Sequence, residues 1–241
     1  MTTETISSVE DILNMLDSFF REEGNWWDEF YADRNKDIPF FVNAPDENLA
    51  QYFKDQQIAA GRVLELGCGA GRNAIFMAQQ GCTVDAIDIS PEAVQWGIER
   101  AKTSNVEVNF QCSNIFDLHI ESEAYDLIYD SGCFHHILPH RRVSFLEMLN
   151  KGLKPGGAFA LVCFAAGEMG AELTDWEVYR ERSLKGGLGY TEEKIKTIFK
   201  DFETIEFRPM QKMEQPGPLF GEPFLWTVLF REKTKDILAT S

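Results

Sequence analysis

The stretch "VLELGCGAGRN", Val63 to Asn73, carries the reading of the whole chain. An apolar, β-favouring run stops in three alternating glycines, Gly67, Gly69 and Gly71, and restarts as "RNAIFMAQQ" with apolar residues at helical spacing. That order predicts strand, tight turn and helix, the usual place for a nucleotide at the edge of an α/β sheet. Spacing then decides which nucleotide. A dinucleotide fingerprint needs G-x-G-x-x-G, whereas here the pattern is G-x-G-x-G with Arg72 where the third glycine would stand, which counts against NAD.

Outward from this turn, short apolar runs alternate with helical patterns. "GRVLEL", "TVDAID", "VEVNFQC", "YDLIYD" and "GAFALVCF" read as strands, with "RNAIFMAQQG", "SPEAVQWGIERAKTS" and "RRVSFLEMLNKGLKPGG" as helices between them. A β-α-β-α order predicts a parallel, doubly wound sheet with helices on both faces. Ser90-Pro91-Glu92 supplies an N-cap, a first-turn proline and early acidic charge. Lys154-Pro155-Gly156-Gly157 ends one helix and opens the next strand, and Thr191 caps "EEKIKTIFKDF". No helix fits between "ETIEFRPM" and "FLWTVLFRE", so these two are expected as an antiparallel pair at the sheet edge.

Two segments stand outside this rhythm. Residues 1–60 hold a dense aromatic run, "FFREEGNWWDEFYADRNKDIPFFVNAPDENLAQYF", expected as a helical cap over the carboxyl end of a sheet domain spanning 61–235. Residues 164–190 are too long and glycine-rich for a simple connection and are expected as a lid insertion.

The balance of 23 basic against 39 acidic residues gives a formal charge of -16, which repels nucleic acid and anionic membranes. The five cysteines never form C-x-x-C and lie mostly in apolar runs, as buried reduced thiols would. With no basic, apolar leader at the start and no apolar run of membrane-spanning length, the expectation is a soluble cytoplasmic protein, monomer or homodimer.

Preceded by Glu65, "ELGCGAGRN" resembles motif I of the class I S-adenosylmethionine-dependent methyltransferases, and residues 61–165 follow that family's pattern. The resemblance implies a Rossmann-like seven-stranded sheet, mostly parallel with an antiparallel last strand. It also implies S-adenosyl-L-methionine as cofactor and S-adenosyl-L-homocysteine as product. Glu65, Gly67, Cys68, Gly69 and Asn73 would then meet the cofactor around the glycine turn, and Asp88, followed by Ile89, would accept both ribose hydroxyls. A helix-capping role is the alternative for Asp88. "FQCSNIFDL" resembles the adenine segment, with Asn114 where the family usually has aspartate and Ile115 packing on the ring; an ordinary loop asparagine is the alternative.

"YDLIYDSGCFHHI" matches the family's fourth strand, placing Asp130 and Ser131 at the reactive centre. His135 and His136 follow as candidate catalytic residues, a general base or polar hook, against a purely structural role. Adjacent histidines diverge and lack further ligands at suitable spacing, so no metal is expected.

Within the family, "GCGAGRN" looks most like the tellurite-resistance branch, where Arg72 could pair with the methionine carboxylate or simply face solvent. Trp27 and Tyr31, on one helix face, are similar to the aromatic cap of thiopurine and thiol methyltransferases, with core packing as the alternative. Trp176, Tyr179 and Tyr190 in the insertion suggest a small, partly apolar acceptor, and Arg180 and Arg182 could hold an anionic group or be a solvated helix face.

The expected function is methyl transfer to a small-molecule thiol, other heteroatom or metalloid oxyanion. A non-catalytic S-adenosylmethionine-binding regulator and an NAD-dependent dehydrogenase are the alternatives. An RNA or protein acceptor is disfavoured by charge and by the lack of a peptide-groove signal.

Overall fold

A computed structural model describes residues 5–20 and 23–233. Seven strands form one sheet: β1 (Arg62–Leu66), β2 (Thr83–Asp88), β3 (Asn109–Cys112), β4 (Tyr125–Ser131), β5 (Leu153–Phe164), β6 (Phe202–Pro209) and β7 (Leu225–Glu232). Their order is β3-β2-β1-β4-β5-β7-β6. β1 to β5 are parallel, and β7 inserts antiparallel between β5 and β6. Strand order reverses between β1 and β4, the switch point outside whose carboxyl ends open α/β sheets bind ligands.

The central strands are continuous apolar runs because helices cover both faces. Leu64, Leu66, Ile128, Phe159 and Leu161 join one core cluster with Phe134, Phe145 and Phe199, while Val63, Leu127, Tyr129 and Ala160 face the other. Between the strands run α4 (Arg72–Gln79), α5 (Pro91–Thr103) and α6 (Arg142–Gly152), and α8 (Glu192–Ile198) precedes β6. The Ser90 hydroxyl accepts the Ala93 amide at 3.1 Å, and Thr191 accepts that of Lys194 at 3.1 Å, as their sequence signals predict.

Two strand limits differ from expectation by more than one residue. β3 begins at Asn109 rather than Val106, because Val106 still donates its amide to Ala101, closing the end of α5. β5 begins at Leu153, ahead of the glycines, with a register shift against Tyr125 and Leu127 absorbing the Lys154–Gly157 bend.

Before the sheet come α1 (Val9–Asp17), α2 (Glu23–Ala32) and α3 (Glu47–Lys54). α2 seats on the start of α5, where Asp28 accepts the Ser90 hydroxyl and the Glu92 amide, both at 3.0 Å. The 1–60 cap is not uniform: Leu49, Tyr52 and Ile58 pack into the sheet core with Val63 and Met77, so the segment from α3 onward supports the sheet. Residues 1–4 and 21–22 of that cap, and 234–235 of the expected sheet domain, lie outside the described residues. No helix among the described residues is long and apolar enough to cross a membrane.

In the 164–190 segment, α7 (Asp175–Glu181) is tied down by Arg142 and Lys194 through Asp175, at 2.8 and 2.9 Å.

Candidate active site

One cleft of about 770 Å³ opens above the carboxyl ends of β1, β2, β4 and β5. Of the expected site residues, Trp27, Tyr31, Glu65, Gly67, Cys68, Gly69, Arg72, Asn73, Asp88, Ile89, Asn114, Ile115, Ser131, His135 and His136 line it. Asp130 does not.

The glycine turn is shaped by the protein around it. Gly67, Gly69 and Gly71 all have positive φ, at 64°, 52° and 76°. A Cβ on Gly69 would lie 2.6 Å from the Tyr31 hydroxyl, so the cap tyrosine sits where a side chain would otherwise stand. On Gly71 it would meet the Phe110 ring at 2.7 Å, so this glycine serves close packing of β3 and α5 rather than ligand approach. Cys68 contributes backbone, donating its amide to Ile87 at 2.9 Å, while its thiol is buried with a raised pKa. Cys112, unlike the other four cysteines, is exposed.

Asp88 ends β2 with Oδ2 accepting the Gly69 amide at 2.8 Å and Oδ1 accepting that of Ser90 at 2.9 Å. These bonds pin the carboxylate, and each oxygen keeps a second acceptor direction. Burial raises its pKa against those amides. Glu65, at 1% exposure, is more strongly perturbed: burial pushes its carboxyl up to about 8, opposed by Arg72 and by hydrogen bonds from Asn73 and the Ala74 amide. Its Oε2 is buried with no hydrogen-bond partner among the described residues.

Four expectations need correction. Arg72 does not face solvent, and its charge is already paired within the protein. Its Nη1 lies 2.7 Å from Asp46 Oδ1, Nη2 donates to Ser131 Oγ at 3.2 Å, and the guanidinium lies over Phe220 at 4.3 Å. Asp130 is buried beneath the cleft, where Oδ1 accepts the Cys133 and Phe134 amides and so shapes the loop after β4; burial raises its pKa to about 7.

Asn114 spends its carbonyl on the Phe116 amide at 3.0 Å, closing a tight turn that holds Ile115, so that oxygen is already engaged where an adenine contact was expected. His135 is a strut. Its Nδ1 accepts the Phe164 amide at 3.2 Å, its ring stacks on Phe164 at 3.7 Å, and burial drives its pKa well below the ordinary value. A neutral ring so committed is not a base near neutral pH, which leaves His136, set edge-on to Trp27 at 4.8 Å.

The insertion's aromatics also point elsewhere. Trp176 is 77% exposed, Tyr190 is buried against Phe134, and Tyr179 bonds His140 at 2.7 Å. Arg180 and Arg182 are exposed outside the cleft; from 164–190 only Phe164 and Met169 line it.

The sequence reading missed Asp46 and Arg141. Asp46 Oδ2 accepts from Tyr129 at 2.7 Å and Asn73 at 2.9 Å, and strand-like bonds join its segment to Phe220. Arg141 reaches from the cleft wall to α1, bonding Glu10 at 2.8 Å, Asn14 at 2.7 Å and Asp17 at 2.8 Å. Arg141 heads the run "RRVSFLEMLNKGLKPGG", whose apolar spacing predicts a helix and gives no sign of the ion pairs.

Residues 63–157 match the methyltransferase domain family. The match covers the glycine turn and the strands and helices on either side of it. An uncharacterized methyltransferase of Synechocystis is 35% identical over 123 residues, covering 51% of this chain and 53% of that protein, so the chain spans about half that relative's length. A ubiquinone biosynthesis O-methyltransferase of Xanthomonas oryzae is 28% identical over 189 residues, covering 75% and 74%. The methyltransferase fold is shared with the structure of magnesium protoporphyrin IX methyltransferase from Synechocystis with bound SAH, at a TM-score of 0.61 and 18% identity, covering 91% of this chain and 99% of that one.

The cleft fits S-adenosylmethionine on its own features. The unpartnered Glu65 oxygen offers an acceptor for an ammonium, and the pinned Asp88 offers acceptors for ribose hydroxyls.

Proposed function

We propose that the protein transfers a methyl group from S-adenosylmethionine to a small-molecule heteroatom acceptor. The observation that carries this reading is the buried, unpartnered Glu65 oxygen at the cleft wall beside the glycine turn, in a chain that matches the methyltransferase domain family. A buried carboxylate oxygen left without a hydrogen-bond partner at the cleft wall is arranged for a cationic partner.

In this reading Glu65 takes the cofactor's ammonium, Asp88 its ribose, Ile89 and Ile115 the faces of its adenine, and Trp27 and Tyr31 close over it from α2. Arg72 and Asn73, locked to Asp46, hold the helix start in place and leave Ser131 at the wall. Such a neutralised arginine gives the tellurite-resistance likeness, and with it a metalloid oxyanion acceptor, little support.

When bound, the cofactor supplies an electrophilic methyl group on a positively charged sulfur. The chain's own task is to orient the acceptor and exclude water, which can contribute roughly 7 to 11 kcal/mol toward such a barrier. His136 takes the proton of a hydroxyl, thiol or amine acceptor. Transfer of labelled methyl from S-adenosylmethionine to any of a panel of thiols, phenols and amines tests the reading; cofactor binding without transfer would favour a regulatory binding protein instead.

A further inference from the structure

The cofactor residues proposed above occupy the half of the cleft over β1, β2 and β3. The other half, over β4, β5 and β7, has a wall of its own that meets the cofactor half at Trp27. Trp27 lies 4.8 Å from His136, His136 lies 6.2 Å from Phe164, and Phe164 lies 6.2 Å from Phe224, ring centre to ring centre. These four rings are half-buried and line the cleft, whereas Phe134, Phe145, Phe159, Phe199 and Phe230 are sealed in the core. A continuous band of ring surface left open inside a cleft is suited to an apolar, planar partner.

Charge narrows the partner further. Of the three arginines at the cleft, Arg72 pairs with Asp46 and Arg141 with α1, while Arg100, on α5 and away from the ring wall, gives Nη2 to the Phe41 carbonyl and lies over Trp96, its Nη1 being buried without a partner among the described residues. The ring wall itself carries no lysine, arginine or carboxylate. An anion placed there would lose its hydration without gaining an uncommitted cation.

We infer that this half of the cleft binds an uncharged, planar aromatic acceptor, held by ring contacts with Trp27, Phe164 and Phe224 and not by an ion pair. This rests on the proposed cofactor site only for which half of the cleft the acceptor takes. It excludes oxyanions and saturated small thiols as the preferred class.

The test is calorimetric titration of the protein loaded with S-adenosylhomocysteine, using four probes: naphthol, naphthalenesulfonate, decahydronaphthol and sodium selenite. Naphthol is expected to bind, the sulfonate and the saturated alcohol at least about ten-fold more weakly, and selenite not at all. Phe224→Leu should weaken naphthol about three- to ten-fold while leaving S-adenosylhomocysteine affinity in place. Equal or tighter binding of the sulfonate or selenite would overturn the inference, as would absence of naphthol binding. If S-adenosylhomocysteine itself fails to bind, the cofactor reading falls separately. Naphthol titrated into the free protein then decides the ring wall by the same criteria.

Discussion

Arg72 Nη1 lies 2.7 Å from Asp46 Oδ1, with the two side chains 9% and 0% exposed, so the first helical turn after the glycines is pinned by an ion pair sealed from water. Asp46 also accepts from Tyr129 and Asn73, which couples the segment before α3 to β4 and α4 at one point. Removing one member strands the other charge. Asp46→Asn is therefore expected to lower stability by about 3–5 kcal/mol in urea titration, and Asp46→Leu combined with Arg72→Leu to recover part of that. A loss under about 1 kcal/mol would make the pair incidental.

The buried Glu65 carboxyl, pushed up to about 8 from an ordinary 4.5, gives a signed pH dependence. Between those values the folded state holds a proton that the unfolded chain releases, so this group makes stability fall as pH rises, by up to about 1.4 kcal/mol per pH unit. Asp130, raised to about 7, has the same sign, so the comparison is with Glu65→Gln. The wild-type protein should lose more stability than the variant from pH 5 to pH 8. Its S-adenosylmethionine affinity should rise over the same interval with proton release, read from binding heats in buffers of different ionisation enthalpy. Parallel pH profiles would remove Glu65 from the cofactor's ammonium.

Asp88 joins the glycine turn to α5 through the Gly69 and Ser90 amides as well as facing the cleft. Asp88→Ala should weaken cofactor binding by one to two orders of magnitude, about 1.5 to 3 kcal/mol of charged hydrogen bonds. Unchanged affinity in a folded variant would take Asp88 off the ribose.

The adjacent histidines should separate cleanly. His136→Ala is expected to keep cofactor binding and slow turnover of a protonated acceptor by about 10²- to 10⁴-fold. His135→Ala should instead lower thermal stability, since its ring supports Phe164 and accepts that residue's amide. Turnover losses in the reverse order would exchange their roles.

The α1 helix has no fully buried residue, and its polar ties to the rest of the described residues run to Arg141 and His140. Docking that rests on ion pairs with only partial burial of Leu13 and Leu16 is weak and screened by salt. Arg141→Gln should raise amide exchange across Val9–Asp17, and added salt should do the same to the wild type. Protection unchanged in both would mean that α1 is held by other contacts.

The parts legible in the sequence were those encoded over short spans. The strand-glycine-helix turn, the Ser90 and Thr191 caps and the alternation of apolar runs fix their own local geometry, and the β6–β7 pair followed from the lack of room for a helix. Glu65 and Asp88 came from the motif I resemblance and from the end of the strand after it, and both carboxylates line the cleft. Arg72 was misread because its partner, Asp46, is remote in the chain and carries no motif. His135 and His136 looked equivalent until the turn after β4 buried one ring and left the other at the cleft. The insertion's aromatics were read by composition, which says nothing about direction, and Tyr190 and Tyr179 proved to be anchors.

The central claim is that the glycine turn, Glu65 and Asp88 form a site for S-adenosylmethionine. Parallel calorimetric titration with S-adenosylmethionine, S-adenosylhomocysteine and NAD tests it most directly. Micromolar binding of the first two with none of NAD is the expected result. Binding of NAD with neither of the others would contradict it.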